Sequence, residues 1–135
     1  MSYLLDTNIV TAILKKNEKI RQKLLILDLL YSKIYLPGMT YYEVKRGLIA
    51  ANATRQLHDL NELCKKYAVL PSDLDILERA AEIHAYLKSK GTLLEDADIL
   101  IAATAIARDL TLVSHDSDML RVPGLKLEDW LATEE

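Results

Sequence analysis

Acidic side chains dominate the residues able to do chemistry. Asp6 closes the short apolar run Ser2 to Leu5, and Glu43 opens a helical stretch after a second run, Ile34-Tyr35-Leu36. Asp98 opens a strongly apolar helical stretch, and Asp116 lies just past a third run, Thr111-Leu112-Val113. Gathered in one place, four carboxylates would repel one another and raise their own pKa values. A divalent cation offsets that repulsion with oxygen ligands alone, and magnesium or manganese with waters completing the shell is the natural choice. Such a site activates water and neutralises charge on a phosphoryl group, so the expected chemistry is metal-dependent phosphodiester hydrolysis.

Each acid also has a purely local reading. Asp6, Thr7 and Asn8 are all good helix N-caps. Thr40 with Glu43 three residues on fits a capping box. Asp96 and Asp98 in a first helical turn complement the helix dipole. Asp116 and Asp118 suit a turn or a short-helix cap. Asp96 has no assigned role.

For the acids to meet, strands and helices must alternate. Helices are expected over Ile9–Lys15, Glu18–Ser32, Thr40–Ala51, Ala53–Tyr67, Asp73–Lys90 and Asp96–Arg108. Strands are expected at Ser2–Leu5, Ile34–Leu36, Ala68–Leu70 and Thr111–Val113, with a last one at Leu125–Leu127. Between Asp73 and Lys90 the apolar stripe reads Leu74, Leu77, Ala81, His84 and Leu87, which makes His84 a core histidine. Asp96–Arg108 is apolar on nearly every side and should be buried. The fold class is therefore α/β, with a mostly parallel sheet covered by helices on both faces. Crossover helices run antiparallel to the strands, so their N-termini gather where the strands end, the edge at which open α/β sheets bind ligands. All four acids belong there.

The chain's 135 residues make one domain, taken as residues 1–135. Half the residues are apolar and 27% are charged, which fits a folded soluble protein rather than disorder. A net charge of −3 gives no basic footprint for nucleic acid, although a metal reverses the sign locally. One Cys excludes an internal disulfide and fits a reducing, cytoplasmic compartment. Asp6 comes too early for a signal peptide, and the run Ile99–Ala107 is too short to span a bilayer. Nucleophile-elbow, P-loop, dinucleotide-binding and HExxH motifs are all missing.

The same residues carry a resemblance. Leu4-Leu5-Asp6-Thr7-Asn8 looks like the first motif of the PIN-domain nucleases, and Glu43-Val44-Lys45-Arg46-Gly47 is similar to their second. Asp98 to Ala105 resembles the third motif, and Leu112-Val113-Ser114-His115-Asp116 the fourth. Val122-Pro123-Gly124-Leu125 followed by Trp130 is similar to the tail of the VapC toxins in this family. The resemblance implies a three-layer α/β/α sandwich and an endoribonuclease dependent on Mg2+ or Mn2+. It implies RNA as substrate, a small antitoxin whose C-terminal segment covers the site, and a homodimer. By motif position, Asp6, Glu43, Asp98 and Asp116 form the acidic site. Asp98 and Asp6 are the metal anchors, and Glu43 binds through water or orients the nucleophile. Thr7, Asn8 and Ser114 support them. Many VapC toxins carry Asn in the fourth motif, whereas this chain reads His115-Asp116-Ser117-Asp118. The fourth ligand is thus Asp116 or Asp118, with Asp116 favoured as nearer the strand end.

Lys45 and Arg46 are candidate RNA contacts, against a Glu43–Arg46 pair at i, i+3. Tyr41 and Tyr42 are either base-stacking residues or packing. Leu24 to Leu30 is too apolar for one core-facing stripe, and serves a partner groove or a doubly covered helix. Two other functions compete: a PIN-fold RNA-processing nuclease without antitoxin, and a non-catalytic phosphoacceptor or metal-binding signalling module. The last wants paired acids after the first strand and a Lys after the last, and the chain has Asp6 alone.

Overall fold

The computed structural model describes residues 1–132. Five strands form one parallel sheet in the order β3-β2-β1-β4-β5, with β1 at Ser2–Leu5, β2 at Lys33–Pro37, β3 at Ala68–Leu70, β4 at Thr111–Val113 and β5 at Leu127–Glu128. In register, Leu4 stands against both Tyr35 and Leu112, and Leu5 against Val113. Successive side chains leave a strand on opposite faces. Tyr3, Leu5, Ile34, Leu36 and Val113 enter one core, while Leu4 and Leu112 enter the other. Both faces are covered, which is why these strands read as unbroken apolar runs.

Helices α1 (Thr7–Leu14), α2 (Glu18–Leu29), α3 (Gly38–Ala50) and α4 (Thr54–Lys66) cover the first face. The second is covered by α5 (Leu74–Ser89) and α6 (Asp96–Ala107), followed by a 3-10 turn at Ser117–Arg121. This is the expected three-layer sandwich. No helix among the described residues is long and apolar enough to cross a membrane.

Helix α6 is buried as expected, with Ile99 and the run Ile101 to Ala105 inside. Helix α5 departs from its expected phase. Its buried residues are Ile76, Ala80, Ile83 and Leu87, while Leu74 and Leu77 are exposed and His84 is only half-buried. Apolar residues lie on both flanks of this helix, so docking on α6, rather than local periodicity, sets the phase. Helix α2 buries Ile20, Leu24 and Leu27, but Leu25, Ile26, Leu29 and Leu30 face outward. It is therefore not a doubly covered helix. The last strand starts two residues later than expected, at Leu127.

The chain leaves β1 toward β2 and β3, then crosses the other face and returns as β4 on β1's opposite side. The direction of winding reverses between β1 and β4. That opens a crevice at their carboxyl ends, the usual ligand position in such sheets.

Candidate active site

Asp6 follows β1 and caps α1, with its carboxylate accepting from the Thr7 amide at 2.7 Å. The local capping reading is thus true of Asp6 and describes only one of its oxygens. The other accepts from the Ser114 hydroxyl at 2.7 Å, just past β4. Ser114 gives its one proton to Asp6 and accepts from the Asp116 amide at 3.0 Å and the Asn8 side-chain amide at 3.4 Å. Asn8 in turn accepts from the His115 amide at 3.0 Å. These bonds tie the ends of β1 and β4 together across the crevice. Asp6 is only 3% exposed. Burial pushes its carboxyl above the ordinary value, the Ser114 and Thr7 hydrogen bonds oppose that, and Asp116 and Glu43 add repulsion.

The expected capping box at Thr40 does not form. Helix α3 starts earlier, at Gly38, because Pro37 at the N-cap position has the extended backbone that launches it. Glu43 consequently lies within the helix and is free to reach α1, where Thr7 Oγ1 donates to its Oε1 at 2.8 Å. The Thr40 side chain is buried, with its hydroxyl 3.4 Å from that of Thr7. Thr7 therefore serves two acids, its amide holding Asp6 and its hydroxyl holding Glu43.

Asp98 sits in the first turn of α6, and no side-chain hydrogen bond caps that helix. Burial, then the charges of Asp6, Asp116, Glu43 and Glu95, push its carboxyl up to about 6. Asp116 caps the 3-10 turn by accepting from the Asp118 amide at 2.9 Å.

Asp6, Thr7, Asn8, Thr11, Glu43, Asp98 and Asp116 line one open cleft of about 420 Å³ at the β1–β4 crevice. All four expected acids reach it. Asp118 does not line it and pairs with Arg121 at 3.2 Å. Asp96 lines a separate hollow with His84 and Ile99. Lys45 donates to the Tyr41 hydroxyl at 2.8 Å, and Arg46 stands 3.9 Å from Glu43 in the expected i, i+3 pair. Sequence reading missed Thr11, which the helical spacing places one turn beyond Thr7 on the same face.

The donor set suits a hard divalent cation. It is all oxygen, and among the described residues no Lys or Arg lies within 4 Å of the carboxylates of Asp6, Asp98 or Asp116. Nor are three such side chains among the described residues already drawn together as one ready ligand set. A hard ion such as Mg2+ takes oxygen ligands and completes its shell with waters.

The PIN domain family model matches residues 3–125. The VapC ribonuclease Y4jK of Sinorhizobium fredii is 32% identical over 131 residues, covering 91% of this chain and 93% of that protein. The tRNA(fMet)-specific endonuclease VapC of Salmonella typhimurium is 29% identical over 133 residues, covering 96% and 98%. Among solved structures, VapBC2 from Rickettsia felis bound to a DNA fragment of its promoter superposes with a TM-score of 0.89 at 25% identity, over 96% of this chain and 99% of that one.

Proposed function

The chain belongs to the PIN-domain family, and from that premise we propose that it is the toxin ribonuclease of a toxin–antitoxin pair, hydrolysing RNA phosphodiester bonds with Mg2+ or Mn2+. The observation that carries this reading is the convergence of four carboxylates, from four segments, on the β1–β4 crevice. Asp6, Asp98 and Asp116 would hold the ion, with Glu43 reaching it through water. The bound ion would polarise the phosphoryl oxygen and lower the pKa of water.

The protein's own groups do the positioning. Ser114 and the Thr7 amide fix both oxygens of Asp6, so this ligand needs no reorganisation when substrate arrives. Thr7 holds Glu43 by Oε1, and Oε2, which has only the loose 3.9 Å pairing with Arg46, would orient the attacking water. Asp116, rather than Asp118, is the fourth ligand in this reading, because it lines the cleft while Asp118 faces Arg121. The relatives' names and the VapBC complex also support an antitoxin partner. The groove between α1, α2 and α4, where Ile13, Leu24, Leu25 and Leu63 are joined by the charged Lys16, Arg21, Asp28 and Lys66, together with the outward apolar residues of α2, is the surface we assign to it.

The test is RNA cleavage by purified protein with Mn2+, Mg2+ or chelator, beside an Asp6→Asn/Asp98→Asn control. Metal-dependent cutting that the control lacks is expected. Cutting that persists in chelator would overturn the mechanism.

A further inference from the structure

Helix α3 carries a feature that its own folding does not require. Gly47 lies in the interior of the helix, is exposed, and a Cβ built on it meets nothing within 4 Å. Its φ is not among the positive values found at Gly91 and Gly124. Glycine in a helix interior is less favourable than alanine, and neither packing nor backbone geometry demands it at this position. A bare backbone on an exposed helix is useful where something outside the chain must come close.

Its neighbours show what that is. On a helix, residues four apart share a face, so Glu43 and Gly47 form one row and Tyr42 and Arg46 the adjacent row. Glu43 lines the cleft. Arg46 stacks on Tyr42, with its guanidinium carbon 5.1 Å from the ring centroid. Both are open to solvent, the Arg46 side chain being 59% and Tyr42 55% exposed. Among the described residues Arg46 makes no hydrogen bond, only the loose 3.9 Å pairing with Glu43. Arg21, Arg108 and Arg121 are hydrogen-bonded to carboxylates, whereas Arg55 and Arg79, like Arg46, make no hydrogen bond among the described residues; of these three only Arg46 is stacked on an aromatic ring. The neighbouring Lys45–Tyr41 pair is hydrogen-bonded, and Tyr41 packs against the core. The unused donors, the open aromatic face and the bare backbone therefore coincide on one patch at the rim of an acidic cleft. That cleft, in a chain of net charge −3, must nevertheless receive a polyanion.

We propose that Tyr42, Arg46 and Gly47 form a platform for one nucleotide of the RNA flanking the scissile phosphate. The base extends the Tyr42–Arg46 stack, Arg46 donates to a phosphate, and the sugar–phosphate chain lies against α3 at Gly47. This rests on the ribonuclease reading above and adds three substrate-positioning residues to it.

The decisive variant is Gly47→Ala. A helix-interior alanine with open space around it should raise the melting temperature. If the RNA backbone needs that space, the same change should weaken RNA binding about tenfold, measured by fluorescence anisotropy in an Asp98→Asn background that does not cut. Tyr42→Ala should weaken binding about 5- to 100-fold, and Tyr42→Phe should restore it. Arg46→Gln should reduce the slope of log affinity against log salt by about 0.7. In the cleaving enzyme the variants should raise KM more than they lower kcat. If Gly47→Ala and Tyr42→Ala bind and cut RNA as the parent does, the platform is wrong while the ribonuclease reading stands. It is equally wrong if these variants lose only antitoxin affinity, because the patch then belongs to that partner. A parent that neither binds nor cuts RNA would defeat the ribonuclease reading itself.

Discussion

Asp98 is the residue whose ionisation works against the fold. Its carboxyl, pushed up to about 6, binds a proton more tightly in the folded chain than in the unfolded one. The resulting stabilisation is complete below the ordinary Asp range and is lost as pH rises through about 6. Asp6, also raised, acts in the same direction. In chelator, the protein should therefore melt at a lower temperature at pH 7.5 than at pH 5. Asp98→Asn should remove most of that difference and stabilise the chelated protein at pH 7.5 by about 1–2 kcal/mol, after discounting for solvent at the open cleft. It should also abolish cleavage. A lowered melting temperature in this variant would mean that Asp98 chiefly serves the α6 dipole. Ser114→Ala removes the hydroxyl that joins Asp6, Asn8 and the Asp116 amide. Its expected effects are a loss of about 1–3 kcal/mol on denaturant unfolding and a large fall in kcat, since the Asp6 oxygen is left buried and unpartnered.

At the scale of elements, the launch of α3 sets the position of Glu43. A Cβ on Gly38 would lie 3.3 Å from the Leu70 carbonyl oxygen of β3, which is backbone and gives way poorly. Gly38→Val should cost about 1–3 kcal/mol by overpacking, and should impair cleavage by displacing the helix that carries Glu43. Helix starts are also where the sequence was least legible. Thr40 and Glu43 have capping-box spacing, but the helix starts at Gly38 behind Pro37, two residues before Thr40, and Glu43 turns to Thr7 instead. In α5, Leu74, Leu77, Ala81 and His84 read as a stripe, yet Ile76, Ala80 and Ile83 are the buried ones. Either face was apolar enough, and only the contact with α6 decides. By contrast, the parallel sheet between two helical layers and the edge at which the acids meet were readable. Alternating short apolar runs and helices allow few topologies, and parallel crossovers bring helix N-termini to one edge. Thr11 went unseen because a lone threonine inside a helix carries no chemical signal until its neighbours are known.

The whole molecule combines a cleft rich in negative charge with an apolar flank. Mn2+ binding only to the folded state should raise the melting temperature in proportion to the logarithm of its concentration, and the Asp6→Asn/Asp98→Asn variant should lose this response. On the flank, Leu29 is 79% exposed beside Leu25, Ile26 and Leu30. Exchanging Leu25 and Leu29 for Glu should leave RNA cleavage intact and abolish inhibition by the antitoxin in a titration assay. Loss of cleavage by that variant would place the flank in the fold or in the nuclease dimer instead.

The two principal acids differ in how the rest of the chain depends on them. Asp6 accepts hydrogen bonds on both oxygens, from the Thr7 amide and the Ser114 hydroxyl, whereas the Asp98 side chain makes no hydrogen bond among the described residues. Cells selected to survive expression of this chain should accordingly yield two genetic classes. Lesions at Ser114, or at Asp6 that remove both of its polar atoms, should lower the amount of protein and behave as recessive nulls. Asp98→Asn should accumulate as a folded, inert decoy that occupies antitoxin, so that a wild-type copy in the same cell becomes more harmful.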